Sequence, residues 1–162
     1  MPTAALTASV RYYDPGTTPC YYLPAVAATN LTPTRAELNA GTNLSGEVAD
    51  FGGFTVVSEQ IECPDLATTF TGKIGGRKSA PDSSLTLYAS KNGNDVKDLL
   101  PNGTAGYIAF MDGGDLVGNS LAVFPILVIS CSQMRSLGND AARVNVQFSV
   151  TRLPGENLTC PA

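Results

Sequence analysis

Histidine and tryptophan are both absent from this 162-residue chain. Without histidine, the commonest general base and the commonest metal ligand are missing. Ser-His-Asp and Cys-His arrangements are thereby excluded outright. Without tryptophan, and with only 7% aromatic residues, neither an aromatic sugar platform nor a base-stacking surface for single strands is evident. Charge is scarce as well: 15% of residues carry it, against about 25% in an ordinary soluble domain. That deficit fits a chain covered by neighbouring copies, and equally a small β domain rich in Ser, Thr, Asn and Gly. The net charge of −4 argues against a nucleic-acid binder, which needs clustered Lys and Arg. Mild acidity suits a surface that nucleic acid passes without sticking, and equally any soluble protein.

Long apolar runs are lacking too. Leu121–Ile129 falls far short of the roughly 18 residues of a membrane span, and Met1-Pro-Thr-Ala-Ala has neither the basic nor the apolar region of a signal peptide. The expectation is a protein made and used without Sec export and without a membrane. Its four cysteines, Cys20, Cys63, Cys131 and Cys160, include no CxxC pair, so free thiols are expected rather than two disulfides. Sequons starting at Asn30, Asn43, Asn102 and Asn157 carry no weight on that reading. The length suits one domain over residues 1–162, with 1–30 as a candidate N-terminal arm.

What is present is short strands punctuated by turn clusters. Leu6, Ala8, Val10 and Tyr12 alternate with Thr7, Ser9, Arg11 and Tyr13, predicting a half-buried strand. After the turn residues Asp14–Pro19, an extended segment runs from Cys20 to Ala28, and Pro24 within it points to an edge or arm. Thr34-Arg-Ala-Glu37 has capping-box spacing and Gly41 would end a short helical turn. Phe54–Cys63 and Leu66–Ile74, joined at Pro64-Asp65, predict a hairpin, and Gly75–Asp82 an exposed loop. Ser83–Ser90 reads as a strand with Leu85 and Leu87 on one face. The clearest helix lies between Asn92 and Leu100: Val96, Leu99 and Leu100 share a face, Asn92 or Asn94 caps it, and Pro101 stops it.

Ala105–Met111 is a further strand. Leu121–Ser130 is apolar on both faces, as for a strand covered on both sides, although Pro125 predicts a bulge or break there. In Ala142–Arg152, Val144, Val146, Phe148 and Val150 face one way, and Arg143, Asn145, Gln147, Ser149 and Thr151 the other. The fold class expected is mainly β: a sandwich or barrel of about eight strands with one short flanking α-helix.

Candidate chemistry fails on inspection. Gly72–Ser79 superficially resembles a phosphate-binding loop, but Arg77 stands where the glycine before the lysine is required. Asp112-Gly-Gly-Asp115 lacks EF-hand spacing and reads as a turn. Glu59 and Glu62 fall on opposite strand faces, and Asp95 with Asp98 reads as solvated acid near a helix start. No catalytic, metal or cofactor site is predicted, and an enzyme is not expected.

The chain does resemble a family. The runs Pro33–Thr42, Leu44–Val48, Gly53–Gln60 and Pro64–Leu66 are similar to tail tube (major tail) proteins of long-tailed phages infecting actinobacteria. So are Lys73–Arg77, Asp82–Tyr88, Asp95-Val96, Leu100-Pro101, Gly106–Ile108, Asp112–Asp115, Ala141–Arg143, Phe148, Thr151-Arg152 and Glu156-Asn157. The likeness covers almost the whole chain in order; the four cysteines are not features of the family. It implies a β-sandwich with a flanking helix, assembled into hexameric rings that stack into a tube for DNA delivery, with subunit sheets joined edge to edge. Partners implied are further copies, other tail proteins such as tape measure and tail terminator, and DNA passing without specific binding. The location implied is the virion tail, assembled in the host bacterial cytoplasm.

On that reading the Phe54–Ile74 hairpin and the Ala142–Arg152 strand are candidates for the inner sheet. Asn145, Gln147, Ser149 and Thr151 would line the lumen, or equally form outer solvated surface. Lys73 at the end of the hairpin, Arg77 and Lys78 on the loop, and Arg11 and Tyr13 on the arm are candidate contacts between rings or subunits, with ordinary mobile loops as the competing reading. A capsid decoration protein or an extracellular carbohydrate-binding or adhesin domain are the alternatives. Deleting Gly75–Asp82 should leave folded subunits that no longer build long tubes in negative-stain images; normal tubes would remove that stretch from the interface.

Overall fold

The computed structural model describes residues 3–93 and 96–162. Met1, the Asn94 cap and the Asp95 helix position therefore lie outside the described residues. In chain order the elements are β1 (Cys20–Leu23), α1 (Arg35–Ala40), β2 (Thr42–Asn43), β3 (Val48–Gly52), β4 (Val57–Cys63) and β5 (Gly72–Ser79). There follow β6 (Ser83–Tyr88), α2 (Val96–Leu99), β7 (Ala105–Asp112), β8 (Ser120–Met134), β9 (Arg143–Val150) and β10 (Gly155–Thr159). Eight strands make one sheet in the order β2-β1-β7-β8-β9-β6-β3, with β10 also on β8, while β4 and β5 pair only with each other. Neighbours are antiparallel throughout.

The spine is β8, 15 residues long. Its first half pairs with β7 on one edge and β10 on the other; its second half pairs with β9. As its sequence predicts, the first half is covered on both faces. Phe124 and Ile126 enter a core shared with Val144, Val146 and Phe148 of β9 and Leu85 and Leu87 of β6. Leu121 and Val123 enter a second core with Leu23, Leu31, Leu38 and Cys160. The sheet curls over the first core: the Phe51 ring of β3 lies 5.9 Å from Phe110 of β7, and Phe54 packs edge-on to Phe110 and Phe124 at 5.1 and 5.4 Å.

Pro125 does not interrupt β8. It stays in register opposite Tyr107, and its carbonyl accepts the Thr151 N–H at 3.0 Å. In a strand the N and O of one residue point to the same edge, so the missing N–H faces the junction where β9 stops and β10 starts. The break falls in the partner strand, and the ladder shift within β8 comes later, between Val128 and Ser130.

Other expectations need correcting. Residues 3–13 form no strand and are exposed throughout. β1 stops before Pro24 and is paired on both sides, so it is not an edge. The hairpin is real but its second strand begins only at Gly72, leaving residues 66–71 in the connection, and runs through Ser79, so the stretch read as a loop from Gly75 is mostly strand. The glycines sit where the ladder shifts register, opposite Ser58–Gln60; a Cβ on Gly76 would stand 3.1 Å from the Glu59 carbonyl, the close approach that glycine in a strand marks. The expected short flanking helix is present, accompanied by a second one among the described residues. The longer is α1, where Thr34 and Glu37 form both halves of the capping box and Gly41 is the C-cap; α2 is four residues.

Phe148 is fully buried while Gln147 beside it is exposed. Phe148→Ala should cost about 3–5 kcal/mol, and Gln147→Ala within about 0.5 kcal/mol, both read from urea unfolding midpoints. Similar costs at the two positions would mean that the strand faces are assigned the wrong way.

Candidate assembly surface

The polar side of β9 is one column of a broader surface. Registers across β3, β6, β9 and β8 place Asp50, Thr86, Asn145 and Ser132 in one row, and Gly52, Ser84, Gln147 and Ser130 in the next. Residues directly opposite share a face, so these rows form a ladder of small neutral polar groups over the side of the sheet away from the first core. Asn145 Nδ2 donates to Thr86 Oγ1 at 3.3 Å, and Ser130 Oγ donates to Gln147 Oε1 at 3.0 Å. Charge enters only at the borders: Asp50 on the edge strand, and Arg143, whose guanidinium lies 6.0 Å from the Tyr88 ring centroid.

Of the residues singled out in the sequence, Asn145, Gln147 and Ser149 fall together on this face. Thr151 lies past the end of β9. The reading missed Thr86, Ser84, Ser130 and Ser132, because membership of a row depends on strand register, which a single strand's periodicity does not carry.

This four-stranded stretch has two open edges. Among the described residues β3 pairs only with β6. On β8 the ladder to β7 ends at Leu127, and only Gly103 and Thr104 reach Val128 beyond it. From there to Met134 the outer edge of β8 has no strand beside it among the described residues.

The candidate contact residues lie elsewhere, in two groups. Lys73, Arg77 and Lys78 are on β5, all exposed; Lys73 Nζ meets Glu62 Oε1 at 3.1 Å across the hairpin, an exposed pair that contributes little. Arg11 and Tyr13 sit on the exposed segment 3–13. The structure does not bring the two groups together within one chain.

One side-chain network ties the C-terminal residues to α1 and to the turn after β7. Arg35 Nη1 meets Asp115 Oδ1 at 2.7 Å, and Arg35 Nη2 donates to the Pro161 carbonyl at 2.7 Å. Cys160 Sγ donates to Asp115 Oδ1 at 3.3 Å. Asp115 therefore serves as an anchor and not as a cation ligand; the adjoining turn is closed by Asn119 Nδ2 on the Gly113 carbonyl at 2.9 Å. The hydrogen bond from Arg35 holds the Asp115 carboxyl below its usual range. Glu37 is likewise lowered, by the backbone N–H groups of Thr34 and Ala27.

Cys20 and Cys160 are buried and Cys63 is exposed; burial pushes the Cys20 thiol up to about 12, far from a thiolate nucleophile. Among the described residues no group of acids and cysteines is placed to hold a metal ion, and no helix is long and apolar enough to cross a membrane.

A family model described as phage tail tube protein matches residues 7–162. No curated protein matches the chain by sequence. Among solved structures, the chain is similar to the sheath/tube terminator of an extracellular contractile injection system, PVC, at TM-score 0.61 and 11% identity, over 91% of this chain and 96% of that one. It is also similar to the tube-terminating cap of the anti-feeding prophage, at 0.60 and 14%, over 94% and 96%. A third likeness is to the tail of an empty gene transfer agent particle refined with C6 symmetry, at 0.54 and 9%, over 88% and 95%. At these identities the likeness is one of fold.

Both lowered carboxyls stabilise the fold above their unfolded pKa, and that contribution disappears as pH falls through the folded value. Asp115→Asn combined with Glu37→Gln should therefore flatten the loss of stability between about pH 5 and pH 2, measured by urea unfolding across that range. An unchanged acid limb would show that neither carboxylate is linked to folding.

Proposed function

This chain belongs to the phage tail tube protein family, and from that premise we propose that identical copies join into hexameric rings, stacked into a conduit for DNA in the virion tail. One observation carries the reading: the stretch β8-β9-β6-β3 has an even number of antiparallel strands and an open edge on each side. Its first and last strands run in opposite directions. When like-oriented copies stand side by side, β3 of one meets the outer half of β8 of the next antiparallel, and backbone groups pair across each junction. A head-to-tail contact of this kind closes into a ring when its rotation allows and covers edges that would otherwise invite aggregation. Six copies per ring is supported by the C6 symmetry of the similar gene transfer agent tail.

The lumen is then the ladder centred on Asn145 and Gln147, with Ser149 and Thr151 toward its end. Neutral hydroxyls and amides hold phosphates weakly, since affinity for the DNA backbone comes from neutralising cations. Lys73, Arg77, Lys78, Arg11 and Tyr13 are assigned to contacts between copies. The finer origin, a long-tailed phage of actinobacteria, rests on the sequence resemblance; so do assembly in the host cytoplasm and partnership with tape measure and terminator proteins.

Negative-stain images of the purified chain should show six-fold rings or tubes. Trimers would favour a decoration protein, and a persistent monomer would remove the tube reading. Asn145→Lys with Gln147→Lys should assemble normally but co-sediment short duplex DNA, with the binding lost between about 50 and 200 mM salt. Tubes of this variant that hold no more DNA than the wild type would place the lumen on another face.

A further inference from the structure

Two elements of this chain are built like sheet and have no sheet to join. The β4–β5 hairpin is a two-stranded ladder detached from the main sheet, and every residue of β4 is exposed. Such a ribbon is marginal in water; a third strand and a covered apolar face are what make it persist. It has that face uncovered: Val57, Ile61 and Ile74 are each half-exposed or more, and Cys63 shares it by alternation along β4. The second element is Leu6–Tyr12. It alternates as a strand should, yet Leu6 is 98% and Val10 93% exposed, and the first backbone hydrogen bonds that follow it are those onto the Asp14 carbonyl.

We propose that the segment Leu6–Tyr12 of one copy adds as a third strand to the free edge of β4 in a second copy. Lengths match: β4 is seven residues, as is the alternating stretch Leu6–Tyr12. On one side of the segment stand Leu6, Ala8, Val10 and Tyr12; on one side of β4 stand Val57, Ile61 and Cys63, with Glu59 between the first two. Charge chooses between the two edges of the hairpin. The segment from Thr3 to Tyr13 carries Arg11 and no acid. β4 carries Glu59 and Glu62, while β5 carries Lys73, Arg77 and Lys78. Arg11 is drawn to the β4 edge and repelled from the β5 edge. Main-chain hydrogen bonds supply the attachment and the alternating side chains its register, as in strand addition generally. This rests on the reading that copies assemble, and it names the element each copy gives and the element that receives it.

Exposed Cys63 makes the pairing measurable. Leu6→Cys and Tyr12→Cys, each in a chain also carrying Cys63→Ser, are co-assembled with wild-type chain and oxidised with copper–phenanthroline. One of the two positions should give a covalent dimer with Cys63 of the other chain, strand direction deciding which. The band should vanish when both chains carry Cys63→Ser. Rings or tubes in the microscope with no Cys63-dependent dimer from either position would overturn the pairing and leave the tube reading intact. A wild-type chain that stays monomeric would overturn the tube reading and the pairing with it.

Discussion

A backbone N–H or carbonyl on the rim of a sheet has to find a partner, and most of this structure follows from where the chain finds one and where it does not. β8 is long enough to be paired on both edges for half its length, by β7 and β10, and on one edge for the rest, by β9. That single asymmetry divides the molecule. The doubly paired half is buried between two hydrophobic cores. The singly paired half extends with β9, β6 and β3 into a sheet with one face on a core and the other bare. Pro125 sits at the changeover, where a residue without an N–H leaves nothing unsatisfied.

The same accounting separates what is self-sufficient from what is not. The body carries its stability internally: fully buried Leu, Ile, Val and Phe side chains on β6 to β9, and the Arg35–Asp115 pair holding the last residues against the turn after β7. The hairpin and the segment 3–13 contribute nothing to either core. A chain of low charge that nonetheless leaves Leu6, Val10, Leu66 and Phe70 in water is a component, complete only among its neighbours. Its family membership gives that physical statement a biological setting.

Much of the body was legible in the sequence because periodicity reports one-sided burial directly. Val144, Val146 and Phe148 alternate with polar residues and are each fully buried; the capping box at Thr34 and Glu37 closes as its spacing requires. The failures share a cause. Leu6–Tyr12 has the pattern of a strand, but pattern does not say whose sheet it joins. The second half of β5 was hidden by Gly75 and Gly76, which look like loop and lie at a register shift. β10 was hidden by Asn157, whose positive φ of 59° breaks the alternation beside another shift. The polar ladder was legible only as one strand's worth, since rows across strands are set by register.

The hairpin leaves the β3–β6 pair at its Gly52 and Ser83 end, whereas Glu47, Tyr88 and α2 border the other end. The molecule therefore has a head and a foot that do not resemble one another. Any column of copies all facing the same way inherits that polarity and terminates in two unlike surfaces, one bristling with unclaimed ribbons, the other without them. Whatever starts such a column and whatever finishes it must be shaped differently, and a single kind of lid will never fit both.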